Sequence, residues 1–233
     1  MGETEEIAKA IQETAKLGTK GLDTAKKAAG FFAKVFKGSV EEIAGIVTDK
    51  LRFVRWMRLV QMSDEVEQIL QEKGVTDTRA VPPKLALPIF EDASLEDDPN
   101  IQHMWNHLLA NAMNPDFNSE IRYGFLDMIK GITAKEAMLL NKFYGSLRSE
   151  NKVRPLSRLV DYSITKEQLM QALEMSEDDY AVAAHNLMRL QLSAPAVLTG
   201  GVKMGSEPLT VYKGIDAITL TPLGALFVEA CID

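Results

Sequence analysis

Asp98-Pro99, followed by Ile101, Met104, Trp105, Leu108, Leu109 and Ala112, constrains this chain more than any other feature. The apolar residues recur at three- and four-residue steps, which places them on one face of a 3.6-residue helix. Asp98 supplies an N-cap, and Pro99 fills a first helical position that needs no amide donor. Asn114-Pro115-Asp116 then stops the helix. An apolar face of this length needs other helices to cover it, so the spacing predicts a mainly α fold. With 233 residues the chain can form one large or two small domains. Its sequence is 46% hydrophobic and 25% charged, which excludes a disordered polymer. Cys231 is the only cysteine, which excludes an internal disulfide framework and a cysteine-cluster zinc site.

The front of the chain also reads as helix. Ile7, Ile11, Ala15, Gly18, Leu22, Ala25 and Ala29 form one stripe of mostly small residues, with breaks expected near Gly21 and Gly38. Ser39 with Glu42 is a capping-box pattern that restarts a helix through Ile43, Val47, Leu51 and Val54. Ser63 reads as the cap of a separate helix ending at Gly74, with Val66, Ile69 and Leu70 inward. Pro82-Pro83 marks a linker over 75–84. A helix over 85–93 follows, with Pro88 in or near its first turn. Another helix is expected over 121–132, carrying Phe125, Met128 and Ile129.

The last hundred residues change character. Thr133 with Glu136 and Thr165 with Gln168 are two further capping patterns, and Ser176 opens a helix through Tyr180, Ala184, Leu187 and Leu190. Segments 194–202 and 209–220 are rich in β-branched residues and are separated by glycines, which reads as a two-stranded hairpin. Thr221-Pro222 caps a final helix with Leu226, Phe227 and Ala230 inward. The order predicts a C-terminal winged-helix-like α+β segment. Three regions result: a basic N-terminal helical region over 1–75, a proline linker and helical core over 76–132, and the winged-helix-like domain over 133–233.

Pro83-Lys84-Leu85-Ala86-Leu87-Pro88-Ile89, the acidic Glu96-Asp97-Asp98, and Trp105-Asn106-His107-Leu108-Leu109-Ala110-Asn111-Ala112-Met113 form a recognisable succession. With Ile132-Thr133-Ala134-Lys135-Glu136-Ala137-Met138-Leu139-Leu140, it resembles the abortive-infection alpha family of prokaryotic proteins. Arg122-Tyr123 stands where that family often has His-Pro. The shared motif is a packing signature. The resemblance implies a role in phage defence, in which an infected cell stops growing or dies.

Charge suggests how such a protein makes contacts. The net charge is −7, yet residues 16–60 hold ten basic and four acidic side chains. Phe32, Val35 and Phe36 share one helical face flanked by Lys26, Lys27, Lys34 and Lys37. Such a face can lie on an anionic membrane surface, its aromatics inserted, or pack against a protein partner, a second copy or its own chain. Lys26, Lys27, Phe32, Lys34, Phe36 and Lys37 are therefore the expected membrane- or partner-binding residues.

The alternative is a winged-helix DNA-binding regulator. Charge weighs against it: Glu177-Asp178-Asp179 occupies the helix end that usually meets bases, and phosphate binding needs Lys and Arg. His103 and His107 have the i, i+4 spacing of a metal grip but lack the glutamate of a zinc-protease motif, and read as surface or boundary residues. Glu91-Asp92 and Glu96-Asp97-Asp98 read as a solvated helix end and a cap. No nucleophile elbow, phosphate loop or dinucleotide fingerprint occurs, so no enzyme activity and no cofactor are expected. No stretch approaches the ~20 apolar residues of a spanning helix, and the start lacks a secretory signal. A cytoplasmic location follows as the expectation, with peripheral membrane contact if the basic segment meets lipid rather than protein.

Overall fold

The computed structural model describes residues 27, 30–35, 52–149, 162–196 and 215–233. The described residues are mainly helical and fall into two compact units, divided between Leu126 and Asp127. The basic segment 30–35 belongs to the same unit as the residues beyond the proline linker.

In the first unit, α1 (Arg52–Glu72) and α2 (Pro83–Ala93) pack on α3 (Pro99–Met113). Asp98 caps α3 as its spacing predicts, accepting from the amides of Asn100 at 2.8 Å and Ile101 at 3.2 Å. The helix is buried well beyond its apolar face, with every residue from Met104 to Met113 covered. Its two buried asparagines help make this possible because they find partners. Asn106 donates to the Glu65 carboxylate and accepts from Gln102 at 3.1 Å. Asn111 accepts from Lys73 at 3.0 Å.

Two expected boundaries move. Ser63 does not begin a helix, since α1 runs through it and its hydroxyl donates to the Val60 carbonyl at 2.6 Å. A hydroxyl satisfied within its own helix no longer competes as a cap. α2 begins at Pro83, so Pro88 sits in its interior and leaves one helical hydrogen bond unmade. The short α4 (Gly124–Lys130) carries the division between the units.

The second unit runs α5 (Ala134–Ser149), β1 (Ser163–Thr165), α6 (Lys166–Leu173), α7 (Glu177–Arg189), β2 (Ser193–Pro195), β3 (Ala217–Leu220) and α8 (Pro222–Cys231). The helix starts follow the capping patterns. Glu136 accepts from the Thr133 amide at 2.8 Å, Thr165 and Gln168 exchange both capping-box bonds, and Ser176 accepts from Asp179. The strands make a three-stranded antiparallel sheet in the order β1-β3-β2, pairing Ser163 with Thr219 and Pro195 with Ile218. β1 adds a strand to the expected pair; three residues are too few to give a readable period. Residues 197–214, which hold most of the expected hairpin, the stripe from Ile7 to Ala29 and the Ser39–Glu42 capping box lie outside the described residues.

α8 begins against the corner between α7 and β2. Thr221 donates its amide to the Leu192 carbonyl at 3.1 Å, and its side chain accepts from Gly224 at 2.9 Å. A Cβ on Gly224 would stand 1.8 Å from the Leu192 carbonyl oxygen, so only glycine permits this approach. Gly224→Ala is expected to cost at least about 2 kcal/mol in urea denaturation, from overpacking against rigid backbone. A midpoint unchanged from wild type would show that α8 does not sit as closely as described.

Candidate contact surface and ligand cleft

The basic segment packs by its aromatics. Phe31, Phe32 and Val35 are at most 2% exposed. The Phe32 ring meets Phe90 of α2 edge-on at 5.0 Å and Trp56 of α1 at 6.3 Å, while Phe31 reaches Phe90 at 6.5 Å. The Val35 carbonyl accepts from the Val81 amide at 3.0 Å. Phe32 is therefore not presented to a bilayer or partner in this structure. At Phe32, the face that its spacing could offer to lipid is covered instead by aromatic rings of the same unit.

Lys27 and Lys34 do face outward. Lys27 pairs with Asp64 at 2.6 Å and Lys34 with Glu67 at 2.8 Å, and both lysine side chains remain more than half exposed. The hydrogen bond to Asp64 raises the Lys27 pKa above its ordinary value, with the Asp64 charge acting in the same direction. Lys27 and Lys34, seven residues apart, thus meet residues three apart on α1. Lys26, Phe36 and Lys37 lie outside the described residues.

The acidic start of α7 is less bare than its composition suggests. Glu177 pairs with Lys166 at 2.7 Å, and Asp179 pairs with Lys135. Hydrogen bonds from these lysines hold both carboxylates below their usual range. Asp178 stays exposed. Lys135 lies far from α7 in sequence, so counting charges along one window missed its contribution.

His103 and His107 stack edge-on in α3 with centroids 4.3 Å apart. His107 is buried beyond the boundary position expected of it. Among the described residues no group of three or more His, Cys, Asp or Glu is placed to hold a metal ion. Burial lowers the His103 pKa from 6.5, opposed by the Glu65 charge. A group with a depressed folded pKa of this type favours folding less as pH falls below 6.5, because the unfolded chain then binds the proton more readily. His103 is expected to titrate below pH 6.5 by NMR; a midpoint above it would put Glu65 ahead of burial.

A cleft of about 440 Å³ opens in the first unit between the start of α2 and the chain leaving α3. Arg79, Leu85, Phe117, Asn118, Ile121 and Tyr123 are among its walls. Sequence reasoning passed over it because Asn114-Pro115-Asp116 read only as a stop signal. The Asn114 side chain does make that turn, accepting from the Asp116 amide at 2.9 Å. The turn also carries 117–123 to one wall of the cleft. An isolated arginine beside a proline pair was the one available signal.

Compared with known families, residues 57–231 match the family described as abortive infection alpha. No match was found among curated proteins or among solved structures. No helix of the described residues is long and apolar enough to cross a membrane.

Proposed function

This chain belongs to the abortive infection alpha family, and on that premise we propose that it acts in phage defence by binding rather than by catalysis. The family match, covering 57–231 of 233 residues, carries the defence role. The mode of contact rests on the outward Lys27 and Lys34 of the basic segment. With Phe31 and Phe32 packed inward, contact through Lys26, Lys27, Lys34 and Lys37 is electrostatic, directed at an anionic membrane surface or an acidic protein partner, a second copy included. The Asp64 and Glu67 carboxylates hold Lys27 and Lys34 only through exposed pairs, which contribute little to stability. A denser anionic surface competes for the same charges.

The DNA-binding reading gains one supporting observation, the pairing of Glu177 and Asp179 with lysines, which lessens local repulsion of phosphate. Against it, α7 exposes Glu177, Asp178, Val182 and His185, and its one cation, Arg189, sits in its last turn, away from the end that usually meets bases.

A bacterial host expressing the chain is expected to yield fewer plaques on phage challenge than a host without it. Replacing Lys26, Lys27, Lys34 and Lys37 by Gln should abolish the difference while leaving thermal stability nearly unchanged. Equal plaque counts with and without the wild-type chain would remove the defence role. Full protection by the four-Gln variant would remove the basic segment as the contact.

A further inference from the structure

We propose that the cleft between the start of α2 and residues 117–123 binds a small organic carboxylate. Its volume of about 440 Å³ lies in the range of ~300–1,000 Å³ that small-molecule sites occupy. All its walls fall within the first unit and within the region matched to the family, unlike the basic segment. The inference does not depend on how the defence role is exerted.

Arg79 gives the cleft a fixed cationic end. Its amide donates to the Met113 carbonyl at 2.8 Å and its Nε to the Ala112 carbonyl at 2.9 Å, with Nη2 at 3.5 Å from the Asn111 carbonyl. These bonds hold the guanidinium against the end of α3. Nη1 makes no hydrogen bond among the described residues, so one edge of the planar fork is left for a ligand. A guanidinium held in this way suits the two oxygens of a carboxylate. Asn118 also makes no hydrogen bond among the described residues and adds an amide to the lining.

The cations nearest the cleft favour an anion over the acidic background of the unit. Residues 1–126 carry fifteen basic and twenty acidic side chains, so this unit is acidic as a whole. The lining itself holds one cation, Arg79, and one acid, Glu120, and two further cations stand beside it. Lys84 lies over the Tyr123 ring, 4.6 Å from its centroid, and the lining acid Glu120 is paired with Arg122 at 3.3 Å. Leu85, Phe117 and Ile121 provide an apolar wall. One open guanidinium edge beside such a wall matches a single negative charge on an apolar body. Inorganic phosphate has more acceptors and no apolar part, and fits less well.

The test is an NMR titration of the full chain, following the amides of 117–123 and the Arg79 Nε signal. Sodium benzoate should give saturable shifts at both, while benzylammonium and inorganic phosphate should not. Asn118→Asp places a negative charge in the lining without removing a hydrogen bond seen among the described residues. It should weaken benzoate binding about tenfold with an unchanged melting temperature. The proposal is overturned by no saturable benzoate shift below about 10 mM. Equal response to benzylammonium, tighter binding of phosphate, or unaltered benzoate affinity in Asn118→Asp would overturn it as well.

Discussion

Complete burial of α3 from Met104 to Met113 is the constraint on which the first unit depends. Enclosing a helix with polar residues on one side favours giving its buried polar groups partners, because an unpaired one costs roughly 1–3 kcal/mol. Glu65 answers Asn106 from α1, Lys73 answers Asn111 from just beyond it, and Arg79 meets the last carbonyls of α3. These three contacts fix α1 and the following link around the central helix. The same requirement links packing to the cleft: the arginine that satisfies the end of α3 is also the cation at the cleft wall.

The basic segment is an outer layer on this arrangement. Full burial of a phenylalanine side chain contributes about 1.5–3 kcal/mol, whereas exposed ion pairs contribute little. Phe31 and Phe32 against Phe90 therefore determine where the segment sits, and the pairs with Asp64 and Glu67 refine its register. Function is left to the side chains that packing does not consume. An amphipathic lysine–phenylalanine helix has the same pattern whether its apolar face meets lipid or protein. What distinguishes the two is the presence of an aromatic receiver elsewhere in the chain, here Phe90 and Trp56.

Local signals were legible in the sequence wherever they are self-contained. The caps at Asp98, Thr133, Thr165, Ser176 and Thr221 all begin helices, because a side-chain acceptor and its amide donor lie within three residues. Ser63 misled because a serine inside a helix can bond backward as well as forward. β1 escaped because it exists only through its pairing with β3, over fifty residues later. The cleft and the Lys135–Asp179 pair were illegible for the same reason: their members lie far apart in sequence and are joined only by the fold. The Phe32 environment combines both effects, a local pattern read correctly as amphipathic and a distant partner that decides what covers it.

Denaturation of the Phe32→Ala variant by urea tests the placement of the basic segment most directly. Packing of this ring between Phe90 and Trp56 predicts a loss of about 3–5 kcal/mol in unfolding free energy. A loss within about 0.5 kcal/mol, as at an ordinary surface position, would mean that the ring is free to meet a membrane or a partner, contradicting the account.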